Sequence, residues 1–180
     1  MMAFIHDTIE GILEWFLIFL MVVLTVIVIV AVIFRIAGDS LSWYDEVAAI
    51  NLSWITYYGA ALAALKRNHI GFDSVLLALP YRPRMLALIV AEIAVIGFFV
   101  ILAYTGWVVL QVLSGDYLVS LTWVPISFTQ SVIPIGATLF IICELLSLPE
   151  YWRMTARGKS IEHAEIEEEV ESELKKAEAR

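Results

Sequence analysis

The chain has 180 residues, of which 61% are hydrophobic and 17% charged, and its mean hydropathy is +0.86. That composition excludes an ordinary soluble domain and marks an integral membrane protein. The formal charge of −8 says little about partners, because residues 159–180 hold eight Glu against four Lys and Arg and so supply half of the acidic excess.

The amino end carries Asp7, Glu10 and Glu14 but no Lys or Arg. A secretory signal needs a basic start, so this segment is expected to be retained. Residues 15–34 form an apolar block rich in Val, Ile and Leu. At about 1.5 Å per residue it spans roughly 30 Å of hydrocarbon, and in lipid a spanning segment must satisfy its own backbone, so helix is expected despite the β-branched content. Arg35 marks its exit.

A turn containing Gly38 and Asp39 follows, and Ser42-Trp43-Tyr44-Asp45 has the spacing of a capping box before a helix. The second span is expected at residues 43–65. Within it Gly59 and Ala63, and likewise Ala60 and Ala64, recur at four-residue spacing and permit close approach of another helix. Lys66, Arg67, Asn68 and His69 bring it back to water. Residues 72–79 are too short to span, and their apolar positions recur at three- and four-residue steps, as in a short helix lying in the interface.

Pro80 stops that helix, Arg82 and Arg84 flank the next, and Pro83 suits a first turn. The third span is expected at residues 85–113, with Glu92 about two turns in. Residues 114–122 read as a loop, and the last span as residues 123–148, with Pro125 near its start and Pro134 expected to kink it. Ser127, Thr129, Gln130 and Ser131 form a polar patch before that kink. Residues 1–158 thus read as an all-α, four-helix transmembrane domain. Residues 159–180 read as a charged tail, either helical through Ile166, Val170 and Leu174 or left disordered by its acidic run.

Basic residues set the orientation. The amino end, the connection between the second and third spans, and the carboxyl tail together carry ten of the eleven Lys and Arg; the other side has Arg35 alone. The positive-inside rule places both termini in the cytoplasm. Asp45 and Glu46 then face outward, and His69 and Asp73 face the cytoplasm.

Few residues offer chemistry. Asp45 and Glu46 either bind a cation or a basic partner or stabilise a helix amino end, an effect worth about 0.3 to 1 kcal/mol. As helix neighbours they point about 100° apart and make a poor acid/base pair. His69 and Asp73 are too few ligands for a metal site. They are expected to fix the turn, with Asp73 capping the interfacial helix. The three histidines, His6, His69 and His163, fall outside the expected spans, which removes the axial ligands of a membrane haem. Glu92, Gln130 and Glu144 lie within or near the ends of spans and are functional candidates by default, weighed against simple pairing with Arg82, Arg84 or Arg153. Asn51 and Gln130 are expected to join helices by hydrogen bonds. The tryptophans at 15, 43, 107, 123 and 152 sit near expected interfaces, whereas Trp54 is placed for packing. The sequence has no phosphate loop, Ser/His/Asp set, zinc spacing or basic-aromatic pattern, so neither an enzyme, a cofactor nor nucleic acid is expected.

The run Arg35 and Ser42-Trp43-Tyr44-Asp45-Glu46, then Trp54, Tyr58-Gly59-Ala60 and the stretch 66–80 with His69-Ile70 and Asp73, resembles the small membrane subunit of tripartite ATP-independent periplasmic (TRAP) transporters, the DctQ-like family. A second block, Ser120-Leu121-Thr122-Trp123-Val124-Pro125 continuing to Ile133-Pro134-Ile135-Gly136, is similar to that family's last span. The resemblance covers residues 15–148. It implies a protein of the bacterial or archaeal inner membrane with two partners. A periplasmic binding protein captures an organic acid, and a large permease subunit binds sodium and moves the substrate by an elevator motion. The small subunit packs against the large one as a scaffold and helps dock the binding protein. Trp43, Trp54, Gly59, Ala60 and Ala63 become the candidate packing residues, and Asp45 and Glu46 the candidate docking or capping pair. The alternative is a homo-oligomeric channel or carrier lined by Glu92, Gln130 and Glu144.

Overall fold

The computed structural model describes residues 2–67 and 79–156, with side chains from His6 onward. They form α1 (Met2–Ile36), α2 (Tyr44–Lys66), α3 (Tyr81–Val112), the short α4 (Ile126–Gln130) and α5 (Val132–Ala156). Among the described residues there is no strand. An isolated bridge between Tyr117 and Pro125 closes the loop that joins α3 to α4. With α4 and α5 taken together, four helical segments are long and apolar enough to cross a membrane. The described residues are therefore all-α with four candidate spans, as the sequence implies. The interfacial helix expected at 72–79 falls mostly, and the tail at 159–180 wholly, outside the described residues.

Several boundaries move, each for a local reason. The first helix starts well before residue 15 because its polar beginning is not idle. Leu13 is buried and Ile9 packs on the same core, while Glu10 and Glu14 meet Lys66. His6 consequently stands inside this helix rather than ahead of it. Gly38 ends α1 at φ +87°, with Gly38 N–H donating to Arg35 C=O and Asp39 N–H to Phe34 C=O. This is a Schellman closure, which needs the left-handed backbone that glycine adopts without a Cβ clash.

The expected capping box does not form. Trp43, not Ser42, precedes the first helical residue of α2, and it has no side-chain acceptor to offer the first turn. In the last span, Trp123, Val124 and Pro125 belong to the loop, and the helix is interrupted at Ser131. Pro134 therefore lies in the first turn of α5, where its missing N–H would be unpaired anyway, and it does not kink an interior. Pro149 is tolerated inside α5, which continues to Ala156 and carries Arg153 in its last turn. Ser147 and Thr155 on either side of Pro149 are buried, and Ser147 Oγ bonds to α2 at Ala64 C=O.

α5 is the centre of the bundle, with α2 and α3 packed on it and α1 lying chiefly against α2. In the last span 44% of the most apolar stretch is buried within the protein, against 11% to 17% in the other three. The core joins Leu13 of α1, Ala61, Ala64 and Leu65 of α2, and Phe140 and Cys143 of α5. Phe99 of α3 stacks on Phe140 with ring centroids 3.6 Å apart, and Phe16 of α1 meets Tyr58 edge-on. Most large apolar side chains of α1 and α3 remain exposed, as on a bundle whose outer solvent is lipid or another subunit.

Candidate functional site

Two polar clusters stand near opposite ends of α2. At its carboxyl end Arg67 caps the helix in the left-handed region, φ 53°, its N–H shared between the carbonyls of Ala63 and Ala64. This turns the side chain back into the bundle. Its Nη1 donates to Glu92 Oε1 of α3 at 2.6 Å and forms an ion pair with Glu144 Oε1 of α5 at 2.8 Å. Nε donates to Ser147 Oγ at 2.8 Å, and Nη2 to the Glu144 carbonyl at 3.1 Å. Ser147 Oγ in turn donates to Ala64 C=O at 3.0 Å. The Tyr151 ring lies 4.6 Å from the guanidinium. One side chain thus joins three helices.

The sequence assigns Glu92 and Glu144 to Arg82, Arg84 or Arg153, and the structure corrects this. Arg84 instead reaches the Ala156 carbonyl, and Arg67, read from sequence as a water-facing exit, holds both carboxylates. The usable signal was charge economy, since two acids deep in apolar helices require a nearby cation.

Beside this cluster, Lys66 turns the other way and binds Glu10 and Glu14 of α1. His6 Nε2 lies 3.4 Å from Leu65 C=O, and its Nδ1 lies 3.6 Å from Asp7 and 3.5 Å from Glu10. His6, Asp7 and Glu10 converge closely enough to hold a metal ion. The Lys66 ammonium, 3.0 Å from Glu10 Oε1, already supplies the positive charge a bound cation would bring.

At the other end, Glu46 in the first turn of α2 accepts the Val119 N–H at 3.1 Å and the Ser120 N–H at 2.9 Å. The Ser120 hydroxyl donates to Ser42 C=O at 3.1 Å. The carboxylate therefore clamps the loop between α3 and α4 onto the start of α2, while its neighbour Asp45 is exposed. The two acids of the expected pair are separated in role, as their angular offset on a helix requires.

The candidate packing residues also divide. Trp54 Nε1 donates to Thr129 C=O at 3.2 Å, and its ring lies 5.7 Å from that of Phe128, so it joins α2 to α4. Ala60 packs on the core, while Trp43, Gly59 and Ala63 are half-buried. A Cβ on Gly59 would meet only Leu17, at 4.0 Å. The close approaches occur at two glycines the spacing argument does not select. A Cβ on Gly136 would fall 2.7 Å from Tyr57 Cβ, and one on Gly106 would fall 2.9 Å from Ile133. Asn51 is buried, and its Oδ1 has no hydrogen-bond partner among the described residues. His69 and Asp73 lie outside the described residues.

A family model described as tripartite ATP-independent periplasmic transporters, DctQ component, matches residues 9–154. The chain belongs to that family. As a DctQ component it is a small membrane subunit of a TRAP transporter, and its family is one of transport components rather than enzymes. The match takes in nearly the whole of the four spans together with the Glu46 clamp and the Arg67 cluster. No curated protein matches the chain in sequence.

Proposed function

We propose that this DctQ component is the fixed scaffold of a sodium-coupled TRAP transporter that imports an organic acid. It packs against the large permease subunit, which carries the sodium sites and the moving substrate site, and helps dock the periplasmic binding protein. The observation that carries this reading is the Arg67 cluster. The two acids deep in α3 and α5 are consumed in tying α2, α3 and α5 together, which suits a part that must keep its shape while a partner moves. The channel alternative loses its lining on the same ground. Gln130 stands fourteen residues from Glu144, about 20 Å along the last span, too far to continue a polar path with it.

The excess of basic residues at the end holding Lys66, Arg67, Arg84 and Arg153 supports a cytoplasmic placing of that end in the inner membrane, with residues 159–180 as a tail there. Exposed Asp45 and the exposed rim of Tyr117, Val119 and Trp123 then face the periplasm and are offered to the binding protein.

Co-expression with the large subunit and a binding protein tests the assignment. The expected result is a stable complex whose reconstituted uptake of an organic acid needs all three proteins and an inward sodium gradient. Purification as a lone protein in the presence of the large subunit, or uptake by this chain alone, would overturn it. Membrane-impermeant thiol labelling of Asp45→Cys in intact spheroplasts checks the orientation.

A further inference from the structure

The charges in the Arg67 cluster do not balance. Its side chains are 9% exposed for Arg67, 11% for Glu92 and 5% for Glu144, so two carboxylates share one guanidinium away from water. Both Oε1 atoms lie within 2.8 Å of the same nitrogen. The second oxygen of each, Glu92 Oε2 and Glu144 Oε2, is buried with no hydrogen-bond partner among the described residues.

Among the described residues, the groups that face this cluster leave the deficit in place. From α1 and α2, Glu10, Glu14 and Lys66 form their own group. From α3, Arg84 binds the Ala156 carbonyl and lies over Tyr81. From α5 come the Tyr151 ring and the buried thiol of Cys143. Among the described residues, Arg67 is the cation that touches the pair. An uncompensated buried ion costs several kcal/mol, and two carboxylates forced into one site do not both ionise readily.

We propose that Glu92 and Glu144 together bind one proton, which makes the pair and Arg67 a neutral unit inside the bundle. The proton resides on one of the two Oε2 atoms and turns that carboxylate into a neutral carboxyl. Its loss leaves a net negative charge at the meeting point of α2, α3 and α5, so the site couples the firmness of that joint to proton availability.

Infrared spectroscopy of the intact chain in detergent, in light and heavy water, reads this directly. At neutral pH the expected result is a protonated-carboxyl carbonyl band that shifts when glutamate is labelled with carbon-13. It is lost in both Glu92→Gln and Glu144→Gln, since the remaining acid then pairs with Arg67 as an anion. In the unmutated chain the band should fade on alkalinisation together with a fall in melting temperature, a readout that does not depend on either variant folding. Absence of the band at neutral pH, its persistence in both variants, or its failure to respond to glutamate labelling would each overturn the proposal.

Discussion

Arg67 is the residue on which most of the interior polar chemistry depends, and its backbone shows the cost. A left-handed conformation at a residue with a Cβ is unfavourable by roughly 1 to 2 kcal/mol, and glycine would relieve it. No other side chain, however, presents a planar fork that reaches Ser147, a carbonyl and two carboxylates at once. Arg67→Gln should therefore lower stability by about 3 to 5 kcal/mol, the range for stranding buried charges, less whatever protonation of the acids recovers. Arg67→Lys keeps the charge but not the fork and should fall between. Thermal unfolding in detergent measures both, and an Arg67→Gln variant that melts with the wild type would mean the cluster contributes nothing. Glu46 makes a different prediction because it is a surface clamp. Glu46→Ala should speed amide hydrogen exchange at Val119 and Ser120 while Asp45→Asn leaves both amides protected; equal effects from the two changes would trace the protection to general surface charge rather than to a specific contact.

Elements were legible from sequence in proportion to how far local chemistry decided them. Four spans follow from length and apolarity, and α2 and α3 begin and end within a few residues of expectation. The misplaced boundaries share a cause, since each was drawn where a polar residue or proline interrupts an apolar run. Glu10 and Glu14 stand ahead of the apolar run from which the first span is read and are paired with Lys66, and Pro149 stands just past the expected end at residue 148 but lies inside the helix. The candidate site was half legible. Glu92 and Glu144 stand out as acids in apolar helices, but their partner required knowing that α2 ends beside α3 and α5. Small-residue spacing fared similarly: it marked Gly59, yet the tightest contact is at Gly136. Gly136→Ala should push α5 off Tyr57 and lower stability by about 1 to 3 kcal/mol, the usual cost of overpacking. Gly59→Ala, with ordinary contact to Leu17, should be neutral or slightly stabilising. Melting temperatures of the pair decide it, and the reverse order would show that the bundle closes on Gly59 instead.

For the whole molecule, the two polar clusters stand at the ends of one helix. Glu46 and Arg67 are 21 residues apart on or at the end of α2, about 31 Å of helix, which matches the roughly 30 Å hydrocarbon thickness. Between them most contacts are apolar or small, with Ala61, Ala64 and Leu65 on the core and Tyr58 against Phe16, and the Trp54 Nε1 bond to Thr129 C=O is a polar exception. Fastening near both faces with a greasy middle is the arrangement a scaffold in lipid calls for, because hydrogen bonds are needed where water competes for the loops and where charge is buried, whereas packing suffices within the slab. It also implies that the two fastenings act independently. Sites separated by more than about 10 Å with no shared partner are usually additive. The melting-temperature losses of Glu46→Ala and Arg67→Gln should then sum in the double variant. A loss clearly larger than the sum would show that each fastening compensates for the other and that α2 transmits strain along its whole length; a loss clearly smaller would show that either change alone already frees the same part of the bundle.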